Sequence, residues 1–140
     1  MELNEDELSK RLLEIEYIRR DLENYINALN ELQAAQDSAS RSLSGLDSLK
    51  DASEAIVPYS QEVFLRAKLE KGALPLVNIG SGVFKEFKFD ALKSKMENDL
   101  KDMGENVERL AQMIEALQKK GASLEQEATK MYEEYQASLK

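Results

Sequence analysis

Few residues of this chain have the type and spacing that catalysis requires. The 140 residues include no cysteine and no histidine, which removes the thiolate nucleophile, cysteine-based zinc sites and the side chain best suited to proton transfer near neutral pH. The segment Gly80-Ser81-Gly82 lacks the Gly-Lys-Ser/Thr ending of a P-loop and the third glycine of a dinucleotide-binding turn. A hairpin turn accounts for this segment, and no cofactor is predicted.

The carboxylates fit solvent-exposed helix faces better than a catalytic site. Glu14, Glu16 and Asp21 form one cluster, and Glu125 and Glu127 form another. Paired carboxylates act as acid and base only in a shaped, partly desolvated cleft, which a two-helix coiled coil does not supply. The formal net charge of −8 argues against binding to a phosphate backbone. We therefore predict that the protein is not an enzyme, has no catalytic, cofactor-binding or metal-binding residue, and binds no nucleic acid.

The beginning of the chain and its apolar runs indicate where the protein works. Residues 1–7 are acidic and lack the basic start and apolar stretch of a signal peptide. The longest apolar run is far shorter than the roughly 20 residues of a membrane-spanning helix. An acidic surface suits a protein that must stay in solution while it handles sticky partners. We expect a cytoplasmic protein without membrane contact.

Two long stretches carry seam residues at spacings that alternate between three and four. A heptad repeat sustained over more than four heptads predicts coiled-coil helices. The serine-rich stretch at residues 42–53, which includes Gly45, is a poor helix former and is expected to fray into a loop. The first seam comprises Ile15, Ile18, Leu22, Tyr25, Leu29, Leu32, Gln36, Ala39, Leu43 and Leu46. The second comprises Met103, Val107, Leu110, Ile114, Leu117, Gly121, Leu124, Ala128, Met131 and Tyr135.

The segment between the two helices changes to a period of two. Apolar residues alternate with other residues from Val63 to Leu69, which predicts a half-buried strand. Two hairpins are predicted, with turns near Ser60-Gln61 and at Gly80-Ser81-Gly82. The predicted fold is mainly α with a small β part: a long antiparallel two-helix coiled coil with two central β-hairpins. One domain, residues 1–140, would contain a helix at about 6–50, the hairpins at about 54–88 and a helix at about 90–139.

The lengths of the elements predict an antiparallel helix pair and an oligomer. Helices of about 45 and 50 residues extend roughly 65–75 Å at 1.5 Å per residue, a distance that a folded connector of two hairpins cannot span. The termini would then share one end, with the strands at the other. Isolated hairpins are marginal in water and their edges invite pairing, so we expect strands of several chains to associate. The oligomerisation residues predicted in these strands are Ile56, Val57, Val63, Leu65, Leu76, Ile79 and Phe84.

Apolar residues outside the two central seam positions collect near the chain termini. Exposed apolar groups gathered in one place usually mark a contact site. For Leu12, Tyr132 and Leu139 a second interpretation stays open, because residues that flank a seam often widen it. The predicted contact site at this end comprises Leu3, Leu12, Leu13, Tyr17, Tyr132 and Leu139.

The middle of the chain resembles the prefoldin alpha family. That family shows a hydrophobic-Val-Pro strand, a Gly-rich turn, a Phe-hydrophobic strand and a Val-Gly-x-Gly turn between two coiled-coil helices. The matching segments are Ala55-Ile56-Val57-Pro58, Val63-Phe64-Leu65-Arg66-Ala67, Val77-Asn78-Ile79-Gly80-Ser81-Gly82-Val83 and Met103-Gly104-Glu105-Asn106-Val107. One departure is Tyr59-Ser60-Gln61-Glu62, where family members usually carry a glycine-rich turn.

The resemblance implies an assembly and an activity. It implies a heterohexamer of two alpha-type and four beta-type prefoldin subunits, with an oligomeric β-barrel body. The tips of its coiled coils would hold unfolded client proteins without ATP and pass them to a group II chaperonin. The family has no catalytic residues, and client binding would fall on the terminal apolar residues. The alternative interpretation is a structural or filament-forming coiled-coil protein that handles no clients.

Overall fold

The computed structural model describes residues 5–139 of the chain. The fold is mainly helical with two small antiparallel hairpins, which confirms the predicted fold class. Within residues 5–139, no helix combines the length and the apolar character needed to cross a membrane. In chain order the elements are α1 (Glu5–Ser44), α2 (Leu46–Asp51), β1 (Glu54–Pro58), β2 (Phe64–Lys68), β3 (Leu76–Gly80), β4 (Val83–Glu86) and α3 (Phe89–Ser138).

The predicted seams of α1 and α3 are the inward-facing sides of these helices. Each predicted seam residue is buried or half-buried, while most residues between them are exposed. The spacing of three and four therefore identified the packed face of both helices correctly. The seam of α1 also extends about two turns closer to the N-terminus than predicted, because Leu8 and Arg11 are half-buried as well.

The chain divides into two compact units, the first of which combines Met1–Ala35 with Met103–Lys140. Its core consists of Ile15 and Ile18 of α1 and Leu124 and Ala128 of α3. Leu8, Leu22 and Leu117 pack against this core. Contacts pair rising residue numbers on α1 with falling numbers on α3, from Glu5 with Tyr135 to Ile18 with Gly121. The two helices are therefore antiparallel in this unit, as predicted.

In the second unit, Gln36–Asp102, the chain stays helical beyond Gly45, so the expectation of a loop there is wrong. The Gly45 amide donates to the Arg41 carbonyl at 3.1 Å, and the Gly45 carbonyl accepts from the Leu49 amide at 3.0 Å. The glycine itself has nearly helical dihedrals, φ −85° and ψ −6°. Leu46 is only 5% exposed. Burial of this side chain stabilises the short helix α2 against the weak propensity of the surrounding serines.

The two hairpins form where the period-two segments predict them. Strand β1 pairs with β2 and β3 pairs with β4, both antiparallel. The amides of Tyr59 and Ser60 both donate to the Val63 carbonyl, at 2.9 and 3.2 Å, and close the first turn. In the second turn Ser81 and Gly82 have positive φ values of 51° and 74°, a conformation that glycine adopts without strain. The Gly80-Ser81-Gly82 segment is therefore a hairpin turn.

Strand β2 departs from the prediction in its burial. Within β2, which is described in full, Ala67 is half-buried and the other four residues are exposed. Leu65, expected on the covered side, is 58% exposed. The alternation of residue types is present, but this chain provides little to cover the apolar side of the strand.

Candidate functional site

A cavity between α1 and α3 in the first unit contains two of the residues predicted for the contact site. We call this cavity, which measures about 570 Å³, the terminal groove. Residues three or four apart share one side of a helix, so each helix contributes one continuous stripe to the lining. The α1 stripe is Leu8, Leu12, Ile15, Glu16 and Arg19, and the α3 stripe is Glu125, Ala128, Thr129 and Tyr132.

The floor of the terminal groove is apolar and its walls are exposed. Ile15 and Ala128 are buried in the core beneath it, whereas Leu12 and Tyr132 are about half exposed, at 53% and 51%. The Tyr132 hydroxyl accepts a hydrogen bond from Gln136 Nε2 at 2.8 Å. Because Gln136 lies one turn further along α3, this bond restrains the Tyr132 ring. The terminal groove thus offers a leucine and an oriented aromatic ring to a ligand.

The rim of the terminal groove carries charge. Arg19 Nη2 lies 3.0 Å from Glu125 Oε1, an ion pair that links the two helices. Thr129 Oγ1 donates to the Glu125 carbonyl at 2.9 Å, so its proton is already used. Glu16 differs from these residues, because within residues 5–139 its carboxylate takes part in no hydrogen bond or ion pair. One carboxylate without an ion-pair partner therefore lies at the rim.

The other side of the same helix pair is charged. Arg11 Nε lies 3.4 Å from Glu127 Oε2, and Arg11 Nη1 lies 3.5 Å from Glu14 Oε2. Within residues 5–139, no group of three acidic side chains is placed to share a metal ion. A cavity of about 550 Å³ on this side is lined by Glu7, Lys10, Arg11, Glu14, Glu127, Lys130, Met131 and Glu134. The two sides of the helix pair therefore differ, since the terminal groove has an apolar floor and the opposite side is mainly charged.

The structure separates the five described residues of the six that the sequence grouped together. Leu12 and Tyr132 line one groove. Leu13 and Tyr17, at 52% and 53% exposure, lie one turn apart on the side of α1 that faces away from the seam. Leu139 is exposed and follows the end of α3, while Leu3 lies outside the described residues. A role of these residues in binding stays a prediction.

A hydrogen bond joins the first turn of α1 to the last turns of α3. The Tyr135 hydroxyl donates to Glu5 Oε1 at 2.6 Å. This hydrogen bond raises the pKa of Tyr135 above its ordinary value of 10.0, and the negative charge of Glu5 and slight desolvation act in the same direction. Loss of the phenol proton would place two negative charges side by side, so the contact depends on protonated Tyr135.

Strands β1 and β2 present one uniformly apolar side, which we call the apolar hairpin face. Directly opposite residues share a side of the sheet, and the pairs Ala55–Ala67 and Val57–Leu65 lie on this face. The pairs on the reverse side mix charged and apolar residues: Glu54–Lys68, Ile56–Arg66 and Pro58–Phe64. The first hairpin therefore offers one face suited to burial against another apolar surface.

All seven predicted oligomerisation residues are at least 46% exposed within this chain. The prediction left out three exposed residues on or directly next to the strands, Tyr59, Phe64 and Val83. The signal for Phe64 and Val83 was the pair of consecutive apolar residues in β2 and in β4, which leaves an apolar residue on each side of a strand. Tyr59 directly follows β1 and ends the apolar run that begins at Ala55. The seven predicted residues are Ile56, Val57, Val63, Leu65, Leu76, Ile79 and Phe84.

A cleft in the second unit was also missed, because its residues are distant in sequence. It measures about 640 Å³ and includes Leu49, Leu69, Leu74 and Phe89 in its lining. Leu49, Leu69 and Leu74 are exposed. Apolar surface is thus available beside the strands as well as on them.

Comparison with known proteins gives a consistent result. A family model described as "Prefoldin subunit" matches residues 2–134. The chain is 28% identical over 109 residues to prefoldin subunit alpha of Thermofilum pendens, a match that covers 78% of this chain and 84% of that protein. The fold is similar to the cryo-EM structure of filamentous PFD from Methanocaldococcus jannaschii, with a TM-score of 0.67, 23% identity, and coverage of 79% and 93% of the two chains. At that identity, the similarity shows a shared fold.

Proposed function

Because the chain belongs to the prefoldin family, a family of non-enzymatic chaperones, we propose that it is an alpha-type subunit that holds unfolded polypeptides without ATP. The similarity to prefoldin subunit alpha of Thermofilum pendens, over 78% of this chain, supports the alpha type. The observation that carries the proposal is the terminal groove, in which Leu12 and Tyr132 converge from two helices.

The terminal groove has the size and lining expected of a site for apolar side chains. Its volume of about 570 Å³ lies within the range of roughly 300–1,000 Å³ for ligand pockets. An open groove with two half-exposed walls binds each apolar segment weakly. Several such grooves in one assembly raise the overall affinity by about 10²–10⁴, so weak individual contacts suffice to hold an unfolded chain.

The exposed strands support assembly with other subunits. A pair of two-stranded hairpins is marginal in water, and all seven oligomerisation residues are exposed in this chain. We propose that beta-type prefoldin subunits cover them, with two alpha-type and four beta-type subunits around a β-barrel body. The proposal includes a cytoplasmic location and transfer of clients to a group II chaperonin, whose competition for the client would release it without nucleotide hydrolysis.

Suppression of aggregation tests the proposal. The assembled complex is mixed with a chemically denatured test protein, and light scattering follows its aggregation with wild type, Leu12→Ser or Leu13→Ser subunits. Both leucines are about half exposed, but only Leu12 lines the terminal groove. We expect full protection by wild type, a clear loss with Leu12→Ser and a smaller loss with Leu13→Ser, whose side chain lies outside the groove. Absence of protection by the wild-type complex would reject the chaperone function, and equal loss in both variants would reject the groove.

A structural, filament-forming protein is the second candidate. The exposed apolar residues on both hairpins favour it, as does the shared fold with a filamentous PFD. A closed complex reaches a constant mass as concentration rises, because its interfaces are saturated, whereas an open head-to-tail interface continues to add subunits. Light scattering of the chain over a range of concentrations, alone and with its partner subunit, separates the two candidates.

A further inference from the structure

We propose that the terminal groove selects client segments in which an apolar side chain stands next to a lysine or arginine. This inference rests on the proposed capture of unfolded polypeptides and adds the chemical class of segment that is captured. It follows from the side chains that line the groove and from Glu16, the one charged residue of the described lining whose side chain has no ion-pair partner.

The apolar part of the segment fits between the two helices. Leu12 and Tyr132 form the walls, and the buried Ile15 lies beneath them. The Tyr132 ring is restrained by the hydrogen bond from Gln136, so less conformational entropy is lost when a ligand packs against it. A leucine or phenylalanine of an extended chain would remove this apolar surface from water.

The charged part of the segment is selected by the rim. Arg19 is already paired with Glu125 at 3.0 Å, so an incoming carboxylate finds no uncommitted cation among the described residues that line the groove. Glu16 lines the same cavity, and within residues 5–139 its carboxylate has no partner. An incoming cation therefore finds a carboxylate that is not already held in an ion pair, whereas an incoming anion is repelled by it.

Lysine and arginine also suit the apolar lining. Their aliphatic stems pack along apolar surface while the charged group stays in water, and both are attracted to the face of an aromatic ring. Tyr132 and Glu16 therefore favour the same type of side chain for two independent reasons. The net charge of −8 on the whole chain adds a longer-range attraction for basic segments, which salt screens.

Paired peptides test the selectivity. Two short fluorescent peptides share one apolar sequence and differ in carrying lysine or glutamate beside each apolar residue, and fluorescence anisotropy measures their dissociation constants on the assembled complex. For an exposed ion pair we expect the lysine peptide to bind about three-fold more tightly. The ratio of the two dissociation constants should approach one in the Glu16→Gln variant and, for wild type, at high salt. Glu14→Gln is the matched control, because it removes the same charge from the other side of the helix pair.

The outcomes distinguish this inference from the function on which it rests. A reduced ratio in Glu16→Gln with an unchanged ratio in Glu14→Gln supports the selective groove. Equal binding of both peptides to the wild-type complex overturns the selectivity but not the proposed capture. An equal reduction of the ratio in Glu16→Gln and Glu14→Gln does the same, because it would assign the preference to net charge alone. Failure of both peptides to bind overturns both the selectivity and the proposed capture.

Discussion

Two single-residue contacts hold α1 and α3 in register in the first unit. Tyr135 donates to Glu5 at 2.6 Å near the termini, and Gly121 faces Ile18, where an added Cβ would lie 3.3 Å from Ile18 Cγ2. The first contact depends on a proton and the second on the absence of a side chain. Each can be removed by one substitution with a defined expected effect.

Tyr135→Phe should remove a pH-dependent part of the stability. The pKa of Tyr135 is raised in the folded state, so the contribution of the hydrogen bond is complete below the unfolded pKa of about 10 and is lost as pH rises through the folded pKa. We expect a small decrease in the thermal midpoint at neutral pH that disappears in strongly alkaline solution. The tyrosinate absorbance of wild type, after subtraction of the variant's absorbance, measures the pKa of Tyr135. An ordinary pKa for Tyr135 would contradict its contact with Glu5.

Gly121→Val should destabilise the helix pair. A Cβ at this position already approaches Ile18 Cγ2 to 3.3 Å, and two further methyl groups would overpack a side chain that is only 7% exposed. Overpacking of this kind costs about 1–3 kcal/mol. The control is Ala122→Val at an exposed neighbouring position, where the loss of helix propensity costs roughly 0.5 kcal/mol. Chemical denaturation followed by circular dichroism compares them, and equal midpoints would refute the close approach.

At the scale of elements, helices and hairpins differ in how much of their surface this chain covers. Each predicted seam residue of α1 and α3 is buried or half-buried, so the seams of these helices are largely covered within this chain. The apolar hairpin face is different, since Val57 and Leu65 are 46% and 58% exposed. We therefore expect the hairpins, and not the helix seam, to depend on a partner chain.

Leu65→Lys should prevent assembly while the helices remain folded. Leu65 lies opposite Val57 on the apolar hairpin face, and a lysine there would place an unpaired charge in the proposed interface, at a cost of about 3 kcal/mol or more. Size-exclusion chromatography with light scattering measures the mass, and circular dichroism measures the helix content. The control is Lys68→Ser on the reverse side, opposite Glu54 and away from the seven oligomerisation residues. A Leu65→Lys subunit that assembles normally would exclude this face from the interface.

At the scale of the whole molecule, the two proposed contact surfaces belong to different units of one chain. The terminal groove lies within the first unit, and both hairpins lie within Gln36–Asp102. Because the two surfaces share no residue, we expect client capture and assembly to be separable by deletion.

Removal of the residues before Ile15 and after Met131 should abolish client protection and leave the oligomer intact. This deletion removes Leu12 and Tyr132 but keeps the four core residues Ile15, Ile18, Leu124 and Ala128 and all four strands. Aggregation of a denatured test protein measures capture, and light scattering measures the mass of the complex. Protection by the trimmed complex that equals that of the full chain would show that the terminal residues are not the capture site.

The sequence predicted most local features correctly because these features depend on interactions between residues that are close in sequence. The spacing of three and four identified the packed sides of α1 and α3, and the glycines around Ser81 identified a turn that requires positive φ. One local prediction failed and another was incomplete, for reasons that helix propensity does not include. Leu46 is buried and holds α2 helical, and the half-buried Arg11 extends the seam with Leu8, although arginine is seldom read as a seam residue.

By itself, then, the sequence determined the helices, their packed sides, the hairpins and their turns, since each depends on residues within a few positions of one another. Only the tertiary structure decided which outward-facing residues meet. Leu12 joins Tyr132 in one groove while Leu13 does not, and Arg19 pairs with Glu125, 106 residues away. These pairings depend on the axial register of two antiparallel helices, which is set by side-chain packing such as Ile18 against Gly121. A heptad repeat shows which side of each helix faces the other, but it leaves open how far one helix is shifted along its neighbour.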